Sequence, residues 1–403
     1  MEKNERWIKP RHRVVRDLLL PVVGLYTRLS YGIRVEQFRE QGDRAYLILM
    51  NHQTPFDQFF VAMAFRGAVY YLATEDLFSN GWVSSLIRWL VAPIPIKKQT
   101  TDITAVRNCI RVAREGGTIA LAPEGNRTYS GRTEYMNPAV AGLAKKLKLP
   151  IALFRIEGGY GVEPRWSSVI RRGKMRAYVF QVIEPEEYAS LTNDELFARI
   201  EQGLHVDEAV ADGPFRSTKR AEYLERAVYV CPFCGLSEFE SHGNVVGCKK
   251  CGCKIAYGED KTLTGQGIDF PFRFVKEWYD YQQSYVNGLD LTAMTEQPVY
   301  RDRARMSEVI FHKRKALLRP DAEICLYGDR VVVDEGTPDR QIFSFAEVTA
   351  ATVMGRNKLN IYHDKKAYQF KGSKRFNALK YVNFYYRYKN QIRGNQDGKF
   401  LGL

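Results

Sequence analysis

From residue 46 onward, short apolar runs alternate with longer stretches in which apolar positions recur every three or four residues. The short runs, at 46–50, 69–72, 118–122, 151–156 and 176–183, predict β-strands. The longer stretches, at 57–65, 82–90, 103–114 and 139–147, predict helices, because a period near 3.6 puts their apolar side chains on one face. Strands and helices in alternation specify a layered α/β domain, read here as residues 31–220. In such a domain the residues that follow the strands gather along one edge of the sheet, where open α/β sheets hold their ligands.

The pattern then changes. Cys231 and Cys234, followed by Cys248 and Cys251 with Cys253 close behind, mark a unit over residues 225–258 that is too small to have a core of its own. An aromatic stretch at 274–285, carrying Trp278, Tyr279 and Tyr281, sits in a helical linker over 259–294. From 295 to 393 the signal is β. Runs at 324–327 and 330–333 flank Gly328-Asp329, a two-residue hairpin turn, and runs at 358–362 and 367–370 form a second hairpin. Residues 374–390 read as a final amphipathic helix. Several short strands closed by one helix resemble a small barrel of the pleckstrin-homology (PH) or GRAM type.

Residues 1–30 place Trp7, Lys9, Arg11, Arg13 and Arg16 ahead of an apolar run from Leu18 to Val23. Arg28 and Arg34 interrupt the segment before it reaches the ~18 apolar residues that a spanning helix needs. No small-residue cleavage site follows, so the segment is read as an amphipathic membrane-docking helix, with basic residues at the headgroups and the Leu and Val face among acyl chains. The other reading is a core helix with a solvated basic flank. Over the 403 residues, 60 Lys and Arg against 46 Asp and Glu give a net charge of +14, a field that attracts anionic lipid, acidic metabolites or nucleic acid without choosing among them. Paired Cys-x-x-Cys spacing favours a metal site in a reducing compartment over a disulfide framework, which points to the cytoplasmic face of the cell membrane and a peripheral or monotopic protein.

The predicted strand 46–50 runs directly into Asn51-His52-Gln53-Thr54-Pro55-Phe56-Asp57. This puts a histidine in the turn and a carboxylate at the start of the next helix. A carboxylate so placed can accept a hydrogen bond from one imidazole nitrogen, leaving the other to take a proton from a hydroxyl. That is the base and orienting half of a catalytic triad, with the substrate's own hydroxyl as nucleophile. Taken singly, an Asp at this position is also an ordinary helix cap. A second block, Ala122-Pro123-Glu124-Gly125-Asn126-Arg127-Thr128, again follows an apolar run and offers a carboxylate, a cation and a Gly that permits close backbone approach. Such a loop suits a phosphate, although a surface Glu–Arg pair in a turn would look the same.

Two further blocks complete an order: Ala92-Pro93-Ile94-Pro95-Ile96-Lys97-Lys98, and Leu149-Pro150-Ile151-Ala152-Leu153. NHxxxxD, an apolar run ending in a cation, PEGxR, and LPI before a strand together resemble the glycerolipid acyltransferase family that includes the 1-acyl-glycerol-3-phosphate acyltransferases, over roughly residues 30 to 210. The resemblance implies His52 as general base, Asp57 as its orienting partner, and Lys98, Glu124, Gly125 and Arg127 around the acceptor phosphate. It implies transfer of a fatty acyl group from acyl-CoA or acyl carrier protein to the sn-2 hydroxyl of lysophosphatidic acid, with no catalytic metal or organic cofactor. Another lysophospholipid or a glycerol phosphate is the alternative acceptor. The chain departs from the family pattern at Lys98, where Arg is usual, and at Asn126-Arg127-Thr128, where Thr-Arg-Ser is commoner.

The two Cys-x-x-Cys pairs are each followed by Gly, at Gly235 and Gly252, and four thiolates so spaced bind zinc tetrahedrally. Cys231, Cys234, Cys248 and Cys251 are the expected ligands of a structural zinc ribbon; Cys253 leaves open which cysteine completes the set, and a redox dithiol pair is the alternative. Cys109 and Cys325 read as buried apolar residues. A ribbon bearing Lys249, Lys250 and Lys254 also fits a nucleic-acid module, but that reading leaves the NHxxxxD and PEGxR blocks without a purpose, so no nucleic acid is expected. The expected partners are an anionic membrane surface, the lysophospholipid acceptor and the thioester donor.

Overall fold

The computed structural model describes residues 6–96, 102–310 and 313–395. Lys98 lies outside the described residues.

Helix α1 (Pro10–Tyr31) leads into a seven-stranded sheet with strands β1 (Ile33–Val35), β2 (Leu47–Met50), β3 (Val69–Thr74), β4 (Ile94–Ile96), β5 (Thr118–Leu121), β6 (Ile151–Glu157) and β7 (Met175–Ile183). Their spatial order is β1-β7-β6-β2-β5-β3-β4. Every neighbouring pair is parallel except β6 with β7. Strand β2 therefore lies in the middle, buried along its whole length, which is why it reads as an unbroken apolar run rather than an alternating one.

Helices α2 (Asp57–Ala64), α3 (Trp82–Val91), α4 (Ile103–Arg114), α5 (Ala139–Leu147), α6 (Gly159–Val162), α7 (Pro185–Ala189) and α8 (Asn193–Leu204) complete this part of the chain. Side chains alternate across a strand, so β2 feeds two cores at once. Leu47 and Leu49 pack with Cys109, Val140 and Ile200 from α4, α5 and α8, whereas Ile48 and Met50 pack with Tyr31, Phe60 and Val61 from α1 and α2.

The cysteine-bearing segment folds as β8 (Val230–Cys231), β9 (Gly235–Leu236), β10 (Phe239–His242), β11 (Val245–Cys248), β12 (Lys254–Tyr257) and β13 (Leu263–Gly265). Helix α9 (Val275–Asn287) follows. Then come β14 (Tyr300–Glu308), β15 (Ala316–Leu326), β16 (Arg330–Val333), β17 (Gln341–Ser344), β18 (Ala350–Met354), β19 (Lys358–His363), β20 (Lys366–Gly372) and α10 (Leu379–Ile392). The last seven strands form one antiparallel half-barrel in the order β17-β16-β15-β14-β20-β19-β18. Leu379, Val382 and Phe384 of α10 are buried in the same core as Ile324, Val331 and Phe370 of the sheet.

A single apolar core joins the three regions. It runs from Tyr129 and Trp166 through Val230 and Trp278 to Phe370 and Phe384. Trp278 Nε1 donates to the Val230 carbonyl at 2.7 Å, and Gln282 Oε1 accepts the Tyr229 N–H at 2.7 Å, so α9 is fastened to the strand that presents Cys231. Among the described residues no helix is long and apolar enough to cross a membrane.

Candidate active site and cysteine cluster

The turn that leaves the carboxyl end of β2 is held from both sides. Asn51 is fully buried, and its side-chain amide pairs with one residue of β6: Nδ2 donates to the Ile156 carbonyl at 2.8 Å, and Oδ1 accepts the Ile156 N–H at 2.7 Å. Asp57, the first residue of α2, is also fully buried. Its Oδ2 accepts from His52 Nδ1 and from the Gln53 N–H, both at 2.7 Å. Its Oδ1 accepts from the N–H and hydroxyl of Thr54, at 2.9 and 2.8 Å. Four donors and the helix N-terminus leave this carboxylate no freedom to turn. Nδ1 of His52 is thereby committed. The His52 side chain is 28% exposed, so Nε2 belongs to the open side of the ring.

The Pro123-Glu124-Gly125 turn leaves the end of β5, the parallel neighbour of β2. Gly125 has φ +69°, in the left-handed region that a Cβ disfavours. Glu124 Oε1 accepts the backbone N–H of His52 at 2.8 Å, which ties one turn to the other. Burial pushes the Glu124 carboxyl up to about 8, against the pull of the His52 N–H and with the charges of Asp57 and Glu134 acting in the same upward direction. Two turns that the sequence placed separately thus meet at adjacent strand ends.

Arg127 is buried behind them, 9% exposed. Burial lowers its pKa to about 10, while the charges of Glu163 and Asp57 raise it and those of Arg356 and Arg165 lower it. Neither Glu163, Arg165 nor Arg356 stands out in the sequence, because each sits far along the chain from the two motif blocks and only the fold brings them there. Asn51 and Thr54 lay inside a motif block and could have been read as turn formers from their type.

Residues 32–156 match the family model described as Acyltransferase. The chain thus carries an acyltransferase-family domain over these residues. The match takes in His52, Asp57, the Glu124–Arg127 turn and the Leu149-Pro150-Ile151 block, so the family and the geometry converge on the same strand ends. Among solved structures, the chain is similar to the 1-acyl-sn-glycerophosphate (LPA) acyltransferase PlsC from Thermotoga maritima, with 21% identity, a TM-score of 0.40, and 49% of this chain and 80% of that one covered. No curated protein matches the chain.

Outside the acyltransferase domain, the cysteine sulfurs converge. One ligand atom each from Cys231, Cys248, Cys251 and Cys253 lie within 4.8 Å of one another. The pairs Cys231–Cys251, Cys231–Cys253 and Cys234–Cys248 are 3.7, 3.8 and 3.6 Å apart. Four sulfurs each ~2.3 Å from a tetrahedral zinc are separated by roughly 3.8 Å, so these spacings fit that ion. The backbone N–H groups of Phe233 and Cys234 bond the Cys231 sulfur, and those of Lys250 and Cys251 bond the Cys248 sulfur. The cluster can hold a metal ion. Cys109 and Cys325 are fully buried elsewhere.

Proposed function

We propose that this acyltransferase moves a fatty acyl group from a thioester, acyl-CoA or acyl carrier protein, to the sn-2 hydroxyl of 1-acyl-glycerol-3-phosphate, giving phosphatidic acid. The observation that carries the reading is the 2.7 Å bond from His52 Nδ1 to a fully buried, fourfold-bonded Asp57. It fixes the tautomer with Nε2 free to accept a proton. Nε2 takes the hydroxyl proton as the oxygen attacks the thioester carbonyl carbon; the tetrahedral adduct then expels the thiolate, which recovers the proton from His52. No enzyme-bound acyl group is needed once both substrates are oriented together. Arg127, Gly125 and Lys98 are assigned to the acceptor phosphate; Glu124, expected beside that phosphate, is assigned instead to holding the His52 turn, because its Oε1 accepts the His52 N–H.

A lipid acceptor agrees with the surface around α1. Leu18, Val22, Leu25 and Leu29 form one stripe along α1, each at least 60% exposed. Trp82, Leu86 and Trp89 form a second exposed stripe on α3, and Arg11 stacks over Trp89 at 4.9 Å. Apolar stripes bordered by cations fit docking on an anionic bilayer, here the cytoplasmic face. The half-barrel with its terminal helix is assigned to the PH/GRAM type. The cysteine cluster is assigned to a structural zinc, held by Cys231 and Cys248 with the second cysteine of each knuckle, Cys234 and Cys251.

The test is to incubate purified full-length protein with anionic vesicles, lysophosphatidic acid and a panel of acyl-CoA and acyl carrier protein donors, reading products by mass. Phosphatidic acid carrying the donor's chain is expected. Acylation only of other lysophospholipids would move the assignment to them, and no acyl ester from any acceptor would end it.

A further inference from the structure

The turn between β18 and β19 carries a cation from the C-terminal half-barrel to the acyltransferase domain. The Arg356 guanidinium pairs with the Glu163 carboxylate. Glu163 is buried, and its other oxygen accepts the Tyr31 hydroxyl at 2.5 Å. Its negative charge also acts on Arg127, which the charge of Arg165 opposes.

Two nitrogens of this group are buried and lack a hydrogen-bond partner among the described residues: Arg127 Nη1 and Arg356 Nε. Unpaired donors on buried cations are strongly unfavourable unless an anion arrives to meet them. Arg165 holds the two cations in register. Its Nη1 donates to the Arg127 carbonyl at 2.9 Å and its Nη2 to the Val353 carbonyl at 3.0 Å, three residues before Arg356. A second clasp acts on the same turn, where Asp76 bonds Lys315 and lies 3.4 Å from Lys358 Nζ.

We propose that Arg356 and Arg127 together form an anion site that takes a phosphomonoester, so that the C-terminal half-barrel supplies one wall of the acceptor site. Identifying that phosphomonoester with the acceptor's headgroup rests on the reading under Proposed function. Arg127 Nη1 and Arg356 Nε each offer an incoming phosphate one charge-assisted N–H, and with Arg165 beside them three guanidiniums against the single charge of Glu163 suit a dianion better than a phosphodiester, which offers a single negative charge. The site would thus select lysophosphatidic acid over lysophospholipids with a substituted phosphate.

Calorimetric titration of the full chain with inorganic phosphate, alongside steady-state acylation, tests this. Wild type is expected to bind phosphate, and Arg127→Gln and Arg356→Gln each to weaken binding by about tenfold or more. Arg356→Gln should raise the acceptor KM by roughly 10- to 100-fold while the donor KM stays in place. Arg356→Lys keeps a charge for Glu163 but loses the Nε–H, so it should fall between; it carries the test if the glutamine variant does not fold. Wild type that binds no phosphate, or either Arg356 variant binding phosphate as wild type does, overturns the site. Arg356-dependent phosphate binding in a protein that does not acylate lysophosphatidic acid would keep the site and overturn the acceptor assignment instead.

Discussion

Asn51 and Ile156 exchange two hydrogen bonds, 2.8 and 2.7 Å, that join the end of the central strand to its neighbour directly beneath the His52 turn. A side-chain amide here replaces the strand-to-strand pairing that ends where the chain turns away. Asn51→Ala would leave the Ile156 N–H and carbonyl buried and unpaired, at about 1–3 kcal/mol for each group. Thermal melting should show a clear loss of stability. Turnover should fall as well, because the turn that aims His52 loses its anchor. Wild-type melting and turnover in this variant would make Asn51 a bystander.

His52 sits on that turn, partly exposed, so its removal should spare the fold. General-base catalysis supplies roughly 10²–10⁴ in rate, and His52→Ala should lower kcat by that much while leaving the melting temperature near wild type. Asp57→Asn should also be severe. An amide presents either the wrong donor or a weaker acceptor to Nδ1, and the tautomer is no longer fixed. Retention of a tenth of wild-type turnover in His52→Ala would remove it from the mechanism.

Much of this site was legible because its parts are local. His52 and Asp57 lie five residues apart on a strand-turn-helix whose apolar run and helical period both show in the sequence, and the predicted helices at 103–114 and 139–147 coincide with α4 and α5. What escaped was short or distant. Strands β1 and β4 have three residues each, too few to show a period, and their pairing partners fix them. The polar sequence of α8 buries only Leu196, Ile200, Gly203 and Leu204, so its apolar face is narrow and its helical period weak. The sequence puts the apolar positions of α3 on one face but leaves its exposure open, because periodicity tells which residues share a side and not what covers them. Glu163, Arg165 and Arg356 reach the site only through tertiary packing, which leaves no spacing to read.

The cysteine cluster offers five sulfurs for four positions, and the proposed set takes both cysteines of each knuckle. Backbone N–H groups converge on the sulfur of Cys231 and of Cys248, as each two-cysteine turn requires. Protein purified without chelator should hold close to one zinc per chain by elemental analysis. Cys234→Ser should lose it and Cys253→Ser should keep it. The reverse result would transfer the fourth position to Cys253, the set whose sulfurs lie within 4.8 Å. Stripping the metal should loosen β8 to β12 and, through the shared core, α9.

His12 gives the packing of α1 a pH dependence. It is buried, with Nδ1 3.1 Å from the Tyr70 hydroxyl, and burial together with the charges of Arg11 and Lys9 lowers its pKa to about 4 from 6.5. Above 6.5 the imidazole is neutral folded or unfolded. Between 6.5 and about 4 the unfolded chain takes up a proton that the folded one refuses, so the attachment of α1 weakens as pH falls through that window. Hydrogen exchange of α1 amides, corrected for the intrinsic pH effect, should lose protection over this range. His12→Asn should flatten that response; an unchanged response would assign it to other groups.

The stripes on α1 and α3 make a prediction that separates hydrophobic from electrostatic binding. Leu18 and Leu29 are 72% and 75% exposed, and Trp82 is 75% exposed, so their substitution touches little of the core. Moving one such side chain from water into the acyl region is worth about 1.5–3 kcal/mol, and Leu18→Ser or Leu29→Ser should weaken vesicle binding by roughly tenfold or more without changing the melting temperature. Trp82→Ser should act similarly if α3 docks beside α1. Salt screens the cations and not the apolar stripes, so raising it should release part of the protein from anionic vesicles and leave a bound fraction. That fraction should vanish in the doubly substituted protein. Complete release of the wild type by salt alone would reduce the N-terminal surface to a charged patch and strip α1 of its anchoring role.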